Sequence, residues 1–191
     1  TQLLHEGRLF LPNPSLFNDP FDCGLEDPVR LKFIEAAMGC FSREKSNVLM
    51  FSHYAENHSG FAVGFDTGLL LQSLAENNPP WDASLRPVWY LREAPRLSLQ
   101  TEPALCATCK NDIWLYENEF RLFLSQGSDQ LAPSGHYLFD RNAIREVIIG
   151  CKATDLTISA CKMHTNDLQN CKCFKAFQQP NAFSLGYHEI P

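Results

Sequence analysis

Tyr116-Glu117-Asn118-Glu119-Phe120-Arg121-Leu122-Phe123-Leu124 is the stretch whose reading decides the fold. Side chains two apart on a strand share a face. A strand over 116–124 therefore sets Asn118, Phe120, Leu122 and Leu124 on one side and Glu117, Glu119 and Arg121 on the other. The first face is core. The second carries two carboxylates roughly 7 Å apart with a guanidinium next in line. If that face is covered, its charges must pair or shift their pKa values, as an acid/base or ribose-gripping group requires. If it is solvated, it is an ordinary strand face with an intrastrand Glu–Arg pair worth ~0–1 kcal/mol.

Working outward, other short strands fit the same sheet-building pattern: Arg8–Leu11, Met38–Ser42, Arg86–Leu91 and Glu146–Ile149. In 60–66, large Phe61, Val63 and Phe65 alternate with small Ala62 and Gly64, a strand whose small face something approaches closely. Leu3–Gly7 reads as a helix end stopped by glycine. Val29–Met38, Ser46–Asn57 (with Ser46 as N-cap), Leu69–Glu76 and a piece near Arg141–Arg145 read as helical. Lys172–Gln178 and Ala182–Gly186 form a terminal hairpin across Gln179-Pro180-Asn181. Long irregular stretches lie between, notably Arg92–Asp112. The expected class is α+β, a central, mostly antiparallel or mixed sheet with short helices and long loops.

The 191 residues fit one domain, 1–191. With 45% hydrophobic and 12% aromatic residues, the chain has material for a sizeable core, which excludes disorder as its overall state. No apolar run approaches the roughly 20 residues of a membrane span, so no membrane partner is expected. The net charge of −6 argues against bulk nucleic-acid binding but not against a small nucleotide. Eight cysteines without a visible signal peptide point to reduced thiols in a cytoplasmic protein. Thr1-Gln2-Leu3-Leu4 reads as the middle of an element, so a preceding segment is expected.

Three polar groups can carry chemistry. Glu117, Glu119 and Arg121 are the first. The second is Ser52, His53, Tyr54 and His58, crowded ahead of the small-faced strand. His53 and His58 miss the helical i,i+4 spacing of a zinc protease, and no G-x-S-x-G elbow supports a serine nucleophile. The third is Asn18-Asp19-Pro20-Phe21-Asp22, either an Asx-type turn or a rigid loop offering an amide and a carboxylate to a ligand. Cys106/Cys109 and Cys171/Cys173 have nonstandard spacing, so zinc is not expected and free thiols or a redox pair are the alternative. The common nucleotide-phosphate loops are absent.

In this order, Phe17–Asp22, Cys40-Phe41-Ser42, Leu49–Asp66, Trp114–Arg121 and Ile144–Gly150 resemble a bacterial domain-of-unknown-function family, number twenty-nine seventy-one. Its pattern runs N-D-P-F-D/E, F-S, W-S-H-Y-A-x-x-H-x-G-F, W-x-x-E-x-E-Y/F-R and I-x-E-I-x-x-G. Phe51 stands where the family has Trp. The family's first aromatic strand is lacking and the stretch from Asp22 to Cys40 is short, so an N-terminal strand and some loop segments are expected to be missing. In layout the chain also resembles the ADP-ribosyltransferases. That resemblance implies NAD as substrate, Glu119 as the catalytic carboxylate, Glu117 assisting the acceptor and His53 joining them. Ser52, Tyr54, His58, Asn18, Asp19 and Arg121 would then hold the dinucleotide. The rival reading is a noncatalytic nucleotide- or ligand-sensing module in bacterial defence or stress response, its protein partner unknown. A metal-free hydrolase using Glu117, Glu119 and His53 is a third.

Overall fold

The computed structural model describes residues 2–23, 36–95, 107–127 and 130–191. Among them the chain forms α1 (Gln2–Glu6), β1 (Arg8–Leu11), β2 (Met38–Ser42), α2 (Val48–Tyr54), β3 (Phe61–Phe65), α3 (Thr67–Asn77), β4 (Asp82–Pro87), β5 (Trp89–Leu91) and β6 (Cys109–Asn111). It continues with β7 (Glu119–Gln126), β8 (Gln130–Leu131), β9 (Gly135–Leu138), β10 (Ile144–Ile149), α4 (Asp155–Thr165), β11 (Lys172–Gln178) and β12 (Leu185–Ile190). The class is α+β, with the strands shared among two four-stranded sheets and two two-stranded ones. Most of the expected helix Val29–Met38, and Cys106, lie outside the described residues; Met38 itself opens β2.

The chain divides into two compact units. The first comprises residues 1–8, 44–70 and 139–191. Its sheet runs β12-β11-β10-β3, with β10 parallel to β11 and the other pairs antiparallel. A parallel pair needs a crossover, and α4 supplies it. The core gathers Phe51, Ala55, Ile148 and Leu185, with Ala62, Phe174 and Tyr187 against them. The close approach expected at Gly64 is there. Its β10 partner is Glu146, whose Cγ would lie 2.5 Å from a Cβ at that position.

The second unit comprises residues 9–43 and 71–138. Here β7 lies between β2 and β4, antiparallel to both, with β8 also pairing to it. Being central, β7 is covered on both sides: Arg121, Leu122, Phe123 and Leu124 are all buried. Met38 and Phe123 pack with Ala36, Ala107 and Cys23, flanked by Phe17 and Leu131.

Several elements differ from expectation. The helix expected over Ser46–Asn57 runs only Val48–Tyr54, because Asn47 rather than Ser46 caps it, accepting from Leu49 N at 2.9 Å. The expected strand Arg86–Leu91 is two strands. Up to Pro87 the chain follows β7, and from Trp89 it pairs parallel with β6. In the terminal hairpin the second strand starts at Leu185, not Ala182, and runs to Ile190. Neither α4 nor β9 is anticipated by the sequence reading. Thr154 caps α4, accepting from Thr157 N at 3.3 Å.

Candidate functional site

The deciding stretch folds differently at its start. Asp112–Glu117 is a 3-10 turn opened by Asn111, whose Oδ1 accepts from Ile113 N at 3.1 Å. Asn118 ends it in the left-handed region (φ 44°), a conformation asparagine tolerates better than most residues. The strand therefore begins at Glu119, and Glu117 is not on it. The end of β2 pins this corner: Ser42 Oγ donates to Glu117 O at 2.7 Å and Arg43 N donates to Asn118 O at 3.1 Å. Tyr90 Oη accepts from Glu119 N at 2.8 Å.

Despite the corner, the two carboxylates converge. Lys110 on β6 places its Nζ 2.5 Å from Glu117 Oε2 and 3.1 Å from Glu119 Oε2. Arg121 Nε donates to Glu119 Oε1 at 2.9 Å, and its Nη2 donates to Asp22 Oδ2 at 2.6 Å. Its Nη1 donates to Ala107 O at 2.5 Å and reaches Cys23 Sγ at 3.2 Å. Lys110 Nζ is also 3.4 Å from Asp22 Oδ2. Three carboxyls and two cations thus form one network whose side chains are 0–4% exposed. The rings of Trp114 and Phe17 lie 5.0 and 5.5 Å from Lys110 and Arg121 respectively. A buried ion cluster meets its desolvation cost only where geometry is good and every member is bonded, as it is here.

The electrostatics follow from these contacts. Burial alone would push the Glu119 carboxyl up, but the charge and hydrogen bonds of Arg121, then Lys110, hold it below the usual carboxylate range. Burial also works against the Lys110 ammonium. Glu119, Glu117 and Asp22 outweigh it and keep the amine protonated well above its ordinary range. Burial, opposed by Arg121, pushes the Cys23 thiol up to about 12, so it stays neutral.

Cys40 on β2 lies opposite Arg121 in the antiparallel register. The residue is exposed, yet its sulfur is buried and hydrogen-bonds the Glu119 carboxylate, and its pKa is raised by that burial and then by Glu119. An ionised carboxylate offers about four acceptor positions. Arg121 Nε, Arg121 Nη2 (3.3 Å), Lys110 Nζ and the Cys40 thiol fill them. The thiol is the weakest of these donors.

Of the expected site residues, Glu117, Glu119 and Arg121 come together, joined by Asp22 from the Asn18–Asp22 loop. Asp19 takes the turn role instead: its Oδ1 accepts from Phe21 N at 2.9 Å and its carbonyl from Asp22 N at 3.1 Å. Asn18 is exposed beside it. Lys110 escapes the sequence reading, since a lone lysine in a loop-rich stretch has no periodicity to mark it. Cys40 escapes as well, because its strand is legible but its strand partner is not.

Ser52, His53, Tyr54 and His58 belong to the first unit. The first three lie on α2, with the His53 and Tyr54 rings 6.1 Å apart. His58 lies beyond the helix, in a left-handed run with Glu56 and Asn57. Its ring stacks on Phe51 at 6.2 Å, and its pKa is lowered by burial and then by Lys152.

Among the described residues no group of three or more His, Cys, Asp or Glu side chains has the arrangement of a metal site. No described helix is long and apolar enough to cross a membrane. Comparison with curated proteins and with solved structures finds no match. Residues 50–122, which include both Ser52–Gly60 and Glu117–Arg121, match the model of the family described as Protein of unknown function (DUF2971).

Proposed function

We propose that the second unit transfers a glycosyl group from NAD, in the manner the ADP-ribosyltransferase resemblance implies, with Glu119 as the catalytic carboxylate. The observation that supports this is the state of Glu119: buried, kept ionised by two cations, and bonded to the thiol of Cys40, a residue at the surface. A carboxylate held below its usual range is a poor general acid near neutrality, which argues against the hydrolase reading. It is well suited to stabilise positive charge in a water-poor site. The ribose 2′-hydroxyl takes the position of the Cys40 thiol on Glu119. As the C1′–N bond breaks, its electron pair leaves with nicotinamide, and Glu119 faces the oxocarbenium character left on the ribose. The acceptor then bonds C1′ and gives its proton to Glu117. Arg121 acts as a positioning residue, because its guanidinium is wholly enclosed and engaged by protein acceptors.

That engagement favours a second reading, a noncatalytic nucleotide-sensing module in which the cluster stiffens a binding surface. Incubation of the full chain with NAD, followed by chromatography of free nicotinamide and calorimetry of NAD binding, separates the two. Turnover in the wild type that falls at least a hundredfold in Glu119→Gln supports transfer, on the scale of losing one transition-state electrostatic group. Binding without turnover supports sensing, and absence of both overturns each reading.

A further inference from the structure

A second group of reactive side chains lies in the first unit, outside the site just described. Cys171 and Cys173 flank Lys172 where the chain leaves a turn, with Cys171 N donating to Leu168 O at 3.3 Å, and enters β11. Both cysteines are half-buried, Lys172 between them is exposed, and the two thiols hydrogen-bond one another. Thr165, in the last turn of α4, sets its Oγ1 3.2 Å from Cys173 Sγ while bonding back to Cys161 O at 2.9 Å. Residues i and i+2 on an extended strand are about 6.6 Å apart at Cα, the upper end of what a disulfide spans. Because Cys171 precedes the strand, the pair need not be fully extended.

We propose that Cys171 and Cys173 form a dithiol site that reacts with low-molecular-weight disulfides, Cys173 attacking and Cys171 resolving. The Cys173 thiolate attacks one sulfur of R–S–S–R, forming the mixed disulfide and releasing RS⁻. The Cys171 thiol loses its proton and attacks Cys173 Sγ, releasing the second RS⁻. Two protein thiols are oxidised and one external disulfide is reduced to two thiols.

The surroundings favour this division of labour. The hydrogen bond from Cys171 draws Cys173 down to about 6, against burial, with Thr165 and then Lys162 of α4 assisting. The Cys171 proton is held by that same bond, then by burial and the negative charge of Cys173, with Glu146 of β10 adding to them and Arg141 opposing. From β12, Glu189 pairs with Lys172 at 3.1 Å. Cys161 is buried and pushed up to about 11 by burial, then by Cys173, which makes it an inert neighbour. A thiolate present at neutral pH is the attacking form in such exchange.

The test exposes the full chain to glutathione disulfide at pH 7 and follows intact mass and peptide mapping. The expected wild-type product is lighter by about 2 Da, with the bond mapped to Cys171–Cys173. Cys171→Ser should stop at one glutathionyl group on Cys173, and Cys173→Ser should give neither product while keeping the wild-type melting temperature. Iodoacetamide labelling of Cys173 in the reduced wild type, resolved by peptide mapping, serves as a check on chemistry rather than folding. Its rate should lie several-fold above that of Cys40 at pH 7. A wild type that keeps a glutathionyl group, or a Cys173 no faster than Cys40, overturns the proposal.

Discussion

Arg121 illustrates what enclosure does to a single charged residue. It has no exposed surface, and each of its three guanidinium nitrogens donates to a protein acceptor. Removing it leaves Asp22 and Glu119 with an uncompensated share of buried negative charge. Arg121→Met is therefore expected to lower stability by about 3–5 kcal/mol in urea denaturation. Lys172, more than half exposed in its pair with Glu189, provides the contrast: Lys172→Met should change stability by no more than about 1 kcal/mol. The acidic pair and Arg121 are legible in the sequence because they share one short run. Asp22 is legible only as part of its own polar loop and Lys110 not at all, because tertiary pairing brings both to that run from other parts of the chain.

At the scale of elements, the reading from alternation succeeds where alternation is the governing physics. Strands Arg8–Leu11 and Met38–Ser42 fall where apolar spacing puts them, and Gly64 meets the close neighbour its small face implies. It fails where capping outranks alternation. Asn111 and Asn118 turn Asp112–Glu117 into a 3-10 segment, so Glu117 reaches Lys110 from a corner rather than along a strand face. The left-handed Asn118 makes that corner testable. Asn118→Gly should be tolerated, whereas Asn118→Val should lose about 1–2 kcal/mol for a β-branched residue in that region, measured by thermal unfolding.

For the whole molecule, the two main members of the cluster define a pH window. The Glu119 carboxyl lies lower in the folded chain than in the unfolded one, so its contribution is present above about 4.3. It is lost as pH falls through the folded value. Lys110 is displaced upward, so its contribution is complete below about 10.4 and is lost as pH rises through its folded value. Stability from these groups should be level between about pH 5 and 10 and fall outside it. Glu119→Gln should flatten the acid limb and Lys110→Met the alkaline one, read from denaturation midpoints across pH. The α+β class was legible from short strands and short helices. The division into two units was not, since each unit is assembled from segments distant in the chain.

The central claim is that Glu119 meets its ligand from the side of the Cys40 thiol. The most direct measurement is the rate at which N-ethylmaleimide modifies Cys40 at pH 8, followed by peptide mapping with and without NAD. Glu119→Gln serves as the parallel sample. The account predicts a several-fold slower rate with NAD in the wild type and no such protection in Glu119→Gln. A wild-type rate that NAD leaves unchanged would contradict it.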